Sequence, residues 1–156
     1  MNPHLKNLNK IEFVLTEACT GACRHCSQGD HSKKGGHLDP KIGTEVIRAV
    51  AARFEIRTLL VFGGEPLLYP DATAELIKAA REAGIERRQI ITNGHFTKSE
   101  NKMRRVAKLL AESGCNDLLL SVDAFHQETI PLETVRLFAL FAKEAQVPLR
   151  LQPLCR

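Results

Sequence analysis

Cys19, Cys23 and Cys26 stand within eight positions of one another in the stretch CTGACRHC. Thiolates at this density bind metals or do redox chemistry, and an odd number of them argues against a disulfide framework. Three arrangements are chemically distinct. Steps of four and three would place all three thiols on one helix face, as part of an apolar stripe. Thr20 and Gly21 would then occupy the first turn, and nothing else nearby is apolar, so that pattern is poor. A zinc ion would need a fourth ligand; adjacent His25 would strain to provide it, whereas His31 or His37 has the reach. An iron–sulfur cluster needs only thiolates, and a short loop wrapping three of them leaves one iron open to a further ligand.

Other chemically capable residues follow at intervals. In GGEP (Gly63, Gly64, Glu65, Pro66), two residues without side chains permit close approach, and Glu65 is an acceptor for a cation. A plain glycine turn with a solvated Glu65 fits the same letters. Asn93 and Gly94 would line a pocket or simply make an Asn-Gly turn. Ser121 and Asp123 lie two apart in SVD and so share a face of a strand, with helix capping as the other use for Asp123. His126 and Glu128 sit just beyond, as candidates for the substrate side. Arg150 and Gln152 share a face distinct from that of Leu149 and Leu151. Cys115 reads as a buried, inert thiol. Cys155 reads as a terminal thiol, with an auxiliary ligand or radical-quenching role as alternatives.

The elements that must position these residues alternate between short apolar runs and helical patterns. Strands are predicted at IEFVL (Ile11 to Leu15), TLLVF (Thr58 to Phe62), RQIITNG, DLLLSVD and PLRLQPL. Between them, helices are predicted from Asp39-Pro40, with Val46, Ile47, Ala49, Val50 and Phe54 buried, and from an Asp71 cap, with Leu76, Ala79, Ala80 and Ala83 inward. A third begins near Thr97 or Ser99, with Met103, Val106, Ala107 and Leu110 inward, and a fourth is opened by Pro131. Alternation of this kind gives parallel strands with helical crossovers, in either an open doubly wound sheet or part of a βα barrel. In both, ligands gather at the carboxyl ends of the strands. The cysteines, GGEP, TNG and SVDAFHQE all fall at such ends.

With CTGACRHC after the first strand, FGGEPLLYPD after the second, and TNG and SVD in order behind them, the chain resembles the radical S-adenosylmethionine (radical SAM) superfamily over nearly its whole length. The resemblance implies an α/β fold, a partial (β/α) TIM-type barrel of about five βα units in one domain spanning residues 1–156. The sixth strand usual in the family has no counterpart before Arg156. A truncated chain, a minimal fold, or a dimer or partner covering the open edge would each account for that. The resemblance further implies that Cys19, Cys23 and Cys26 hold a 4Fe–4S cluster whose open iron binds S-adenosylmethionine. His25 would then lie near the adenine, where the family often has an aromatic residue. Gly63, Gly64, Glu65 and Pro66 would meet the methionine ammonium. Asn93, Ser121, Asp123 and Gln152 would contact the rest of the cofactor. The implied activity is reductive cleavage of S-adenosylmethionine to a 5′-deoxyadenosyl radical that abstracts hydrogen from a substrate. A flavodoxin or ferredoxin would supply the electron.

Composition narrows the remaining classes. The formal charge of +4 is spread along the chain rather than gathered with aromatics, so nucleic acid is not an expected partner. No apolar run approaches membrane-spanning length and the first ten residues are too polar for a signal peptide, so a cytoplasmic protein with reduced thiols is expected. The shortness of the chain and the open barrel wall favour a peptide or another protein as substrate.

Overall fold

The computed structural model describes residues 8–26 and 35–152, so His31 and Cys155 lie outside the described residues. Five parallel strands, β1 (Lys10–Thr16), β2 (Thr58–Gly63), β3 (Arg87–Thr92), β4 (Asp117–Ser121) and β5 (Leu149–Gln152), pair in sequence order. A doubly wound sheet requires the order to reverse, so this strictly sequential order selects the partial barrel. The crossovers carry α1 (Pro40–Ala51), α2 (Pro70–Glu82), α3 (Glu100–Ser113), the short α4 (Ala124–Gln127) and α5 (Leu132–Glu144).

Strand alternation separates two environments. Leu15, Leu59, Val61, Ile90, Leu118 and Leu120 are buried in one continuous core with Ile47, Leu76, Ile77, Val106, Leu110 and Phe138 from the helices. The opposite, concave face carries Val14, Phe62, Ile91, Leu119 and Arg150 along one row of the register and Ser121 beside Gln152 along the next. This face forms the inner wall of the partial barrel.

Helix ends follow local chemistry. Asp39 caps α1 by accepting from Lys41 N at 2.9 Å, with Pro40 in its first turn. Ser99, not Thr97, caps α3, accepting from Lys102 N at 3.3 Å, while Thr97 Oγ1 accepts from Ser99 N. The expected Asp71 cap is displaced: α2 begins at Pro70, whose ring sets the first helical φ, and Asp71 lies inside the first turn. Val46 and Ala49, expected inward, are exposed. The buried face of α1 is instead turned toward α2, where a Cβ at Gly43 would come within 2.4 Å of the Leu76 side chain, and Gly43, Thr44 and Ile47 are buried. Pro131 precedes α5 rather than lying in it.

At the amino ends of the strands the concave face closes with charge. Asp117 accepts from Arg87 Nε (2.6 Å), Gln89 Nε2 (2.7 Å) and Arg150 Nε (3.0 Å). Burial alone would raise this carboxyl, but the donors from Arg87, Arg150 and Gln89 outweigh it and hold Asp117 below the usual carboxylate range. Arg150 is thereby committed to the barrel floor and not to a ligand. Cys115 is buried at the same end, its thiol pushed up to about 12 by burial, as befits an inert side chain. Replacing Asp117 by alanine should cost about 1–3 kcal/mol in urea unfolding at neutral pH. A depressed carboxyl stabilises above its unfolded pKa and loses that contribution as pH falls, so the gap between variant and wild type should narrow with acidification.

Candidate cofactor site

The site begins where β1 and β2 stop together. The parallel register slips between Val14 and Thr16, bringing Thr16 opposite Gly63. Beyond it the two chains run backbone to backbone: Thr16 O accepts from Gly64 N at 2.7 Å and Ala18 O from Glu65 N at 2.8 Å. Gly63 has φ +137°, a conformation that side chains disfavour, and a Cβ at Gly64 would lie 2.1 Å from Ala18 O. The two glycines therefore let the loop that carries the cysteines lie directly on the end of β2.

That loop brings Cys19, Cys23 and Cys26 to the mouth of a cavity of about 360 Å³. His25, Phe62, Gly63, Gly64, Ser121, His126 and Gln152 lie on the same wall. None of the three cysteines is in a disulfide and all are half-buried. Burial raises the Cys19 and Cys23 thiols, so both would lose a proton on binding a metal. Gly21 N donates to Cys19 Sγ at 3.4 Å and Asn93 Nδ2 approaches the same sulfur at 3.6 Å. Hydrogen-bond donors aimed at a ligand sulfur favour its anionic, metal-bound form.

The donor set can be tested against the two metal readings. Among the described residues, the group of three whose ligand atoms come within reach of a single ion is His25, Asp123 and His126, at 4.8 Å or less, and it contains no cysteine. The three thiols are spread more widely, as a polynuclear cluster requires. His37 cannot complete a zinc site with them, since its ring packs on Tyr69 with centroids 4.5 Å apart and it lines a different depression, beside Leu38 and Thr16. The residues present fit the cluster.

Glu65 occupies a different place from the one its motif suggests. Its carboxylate is fully buried behind the cavity wall, accepting from Leu67 N (2.9 Å) and Thr92 Oγ1 (2.7 Å) through Oε1 and from Asn93 N (2.8 Å) through Oε2. Burial raises it to about 7, against the pull of its three donors. What GGEP offers the cavity is therefore the backbone of Gly63 and Gly64. Pro66 is buried at the start of a 3-10 turn, Pro66–Leu68.

Asn93 also works within the protein. Its Oδ1 accepts from His95 N at 2.8 Å, and Nδ2 donates to Thr20 Oγ1 at 3.1 Å as well as approaching Cys19. Gly94, at φ +71°, supplies the turn behind it. Asp123 Oδ1 caps α4, accepting from the amides of Phe125 (2.9 Å) and His126 (3.0 Å), while Oδ2 lies 2.7 Å from His126 Nδ1. An imidazole held this way at Nδ1 is fixed in orientation, with Nε2 as its other polar atom. Glu128 is turned to the surface, in a two-point pair with Arg24. Ser121 and Gln152, across the β4–β5 register, line the cavity with the cysteines, as does Thr92, whose hydroxyl donates to Glu65.

His25 stands at the edge of this cavity, its ring 5.0 Å from Phe125 and 4.8 Å from His126 between centroids. Its Nδ1 is buried without a hydrogen-bond partner, the kind of atom a bound ligand would satisfy. Thr20, Thr92, Phe125 and Thr129 are structural parts of the site that sequence reasoning passed over. Thr92 carried a signal, since it stands in the TNG that follows the third apolar run, but the others are ordinary loop letters.

Fold, cavity and thiols together meet the comparisons with known proteins. Residues 13–140 match the family model of the Radical SAM superfamily, and the chain belongs to that family. The family uses a 4Fe–4S cluster and S-adenosylmethionine. Among curated relatives, GTP 3′,8-cyclase of Chlorobaculum tepidum is 29% identical over 124 residues, covering 79% of this chain and 35% of the relative. GTP 3′,8-cyclase of Aeromonas hydrophila is 31% identical over 130 residues, covering 76% and 36%. This chain thus spans about a third of the length of those relatives. Native anSMEcpe with bound AdoMet superposes with a TM-score of 0.69 at 18% identity, over 92% of this chain and 43% of that one. BtrN in complex with AdoMet and 2-DOIA gives 0.66 at 19%, over 93% and 56%. At these identities the structures speak for the fold.

Two substitutions test this architecture. Gly64→Ala must push the cysteine loop off β2, because the obstructing atom is backbone; a loss of about 1–3 kcal/mol in urea unfolding and failure to develop cluster absorbance on anaerobic reconstitution are expected. Glu65, raised above its unfolded value of 4.5, favours the folded state most below that pH and loses this advantage as pH rises toward 7. The stability of wild type relative to Glu65→Gln, which does not titrate, should therefore fall across that window when urea midpoints are compared.

Proposed function

We propose that this chain carries the cofactor-handling part of a radical enzyme that cleaves S-adenosylmethionine reductively and delivers the resulting radical to a substrate on the concave face. The observation that supports this best is the convergence of Cys19, Cys23 and Cys26 with the Gly63–Gly64 backbone, Ser121 and Gln152 on one cavity at the carboxyl ends of parallel strands. Bound there, the cluster would supply one electron to the sulfonium, yielding methionine and the 5′-deoxyadenosyl radical.

The protein's own residues would do the rest. The carbonyls beside Gly63 and Gly64 are acceptors for an ammonium group, approachable because neither residue has a side chain. Ser121 and Gln152 offer hydrogen bonds to a carboxylate or to ribose hydroxyls. The His25 ring, with its unpaired Nδ1, offers a flat surface and a polar atom for the adenine. Phe62 and Ile91 line the apolar part of the wall and keep water from it. A flavodoxin or ferredoxin is the proposed electron donor.

For the substrate, the named relatives act on GTP, and GTP is the first compound to test. A peptide or protein substrate draws no support from them. The decisive assay is production of 5′-deoxyadenosine from S-adenosylmethionine by anaerobically reconstituted protein with dithionite. Product is expected from the wild type, and none from the Cys19→Ala/Cys23→Ala/Cys26→Ala variant. A wild type that carries iron and sulfide yet makes no product would overturn the catalytic reading and leave a binding role.

A further inference from the structure

The loop that carries the cysteines is short of internal structure. Between β1 and Cys26 the described residues hold no helix, and within the cysteine stretch the backbone turns from Cys26 N to Cys23 O at 3.1 Å. Its shape is imposed from outside, by residues 125–130 after β4, of which His126 also lines the cavity. Ala22 N donates to Thr129 Oγ1 at 3.2 Å, across 107 positions of sequence. Arg24 makes its two-point pair with Glu128, Nε to Oε2 at 2.9 Å. The His25 ring sits against Phe125 and His126. A Cβ at Gly21 would come within 3.0 Å of the Ile130 side chain, so Ile130, itself buried, packs directly under the loop. Every residue from Gly21 to His25 therefore touches this segment or is flanked by one that does.

Within the set, the Thr129 hydroxyl holds the backbone of the loop itself, accepting from Ala22 N next to Cys23. We propose that residues 125–130 are a clamp that holds the cysteine loop in its ligating shape before metal arrives. That the shape is a ligating one rests on the cluster reading given under the proposed function; the clamp itself does not.

The physical reason is chain entropy. A loop with no helix or strand has no ladder of its own to fix its backbone, so contacts from a distant segment must hold it. Thr129 is exposed and belongs to no helix, so replacing it by isosteric valine leaves the core untouched. Thr129 is a positioning residue here, and its signature is amide protection rather than a rate.

One measurement tests the proposal. In cluster-free protein, hydrogen exchange of the amides from Gly21 to Cys26 should accelerate in Thr129→Val and stay near wild type in Thr129→Ser, which keeps the hydroxyl. Unchanged exchange in the valine variant, or a serine variant that accelerates as far as valine, overturns the clamp. A wild type that takes up no cluster sinks the cluster reading, while the exchange experiment still decides the clamp.

Discussion

The ends of β1 and β2 approach so closely that a methyl group at Gly64 would stand 2.1 Å from a backbone oxygen, and the rest of the site depends on that contact. It brings the cysteine loop down onto the strand whose end provides backbone carbonyls. It also turns the Glu65 side chain away from the cavity, into the space between β2 and β3. There the carboxylate ties Leu67, Thr92 and Asn93 together, and Asn93 in turn reaches Thr20 and Cys19. One buried acid thus couples the end of β2 to the end of β3 and, through an amide side chain, to the Cys19 sulfur. Such a network rigidifies when its members are satisfied, and both carboxylate oxygens of Glu65 have partners.

A second support comes from the far side. The segment after β4 holds the loop at Ala22, Arg24 and His25, while Asp123 organises that segment by capping α4 and orienting His126. The loop is therefore gripped between β3 on one flank and the β4–α5 connection on the other. Chain separations of more than 70 residues are closed by single hydrogen bonds on both sides. A loop held like this keeps three thiols half-buried and apart without a core of its own, which a site that must accept a bulky inorganic group requires.

Much of this was legible in the sequence. The strand and helix alternation follows from apolar periodicity, and the cap at Asp39 and the buried stripe of α3 follow from local chemistry that tertiary contacts did not disturb. Where expectation missed, packing decided. Val46 and Ala49 lie outward because α1 turns toward α2 through Gly43, a choice that depends on a neighbouring helix and not on helical periodicity. Asp71 lost its cap because Pro70 could begin the helix one step earlier. The helix at residues 124–127 is too short for any periodic signal, yet it carries Phe125 and His126 to the site.

The sequence by itself narrowed the kind of chemistry, because three thiols at that spacing point to a bound metal group and, with the glycines after the next strand, carry the resemblance to the radical SAM superfamily. It also determined the order of the strands' chemical ends, since alternation and parallel crossover leave few topologies open. The tertiary structure decided which side chains remain available to a ligand. Glu65, Asn93, Asp123 and Glu128 are all polar and all near the cavity, but their hydrogen bonds are taken up within the protein. Whether an acceptor faces a ligand or a donor of the protein depends on what the fold brings near it. Asp123 is taken up by its own α4, but Thr92 and Asn93, which hold Glu65, and Arg24, which holds Glu128, lie far away in sequence.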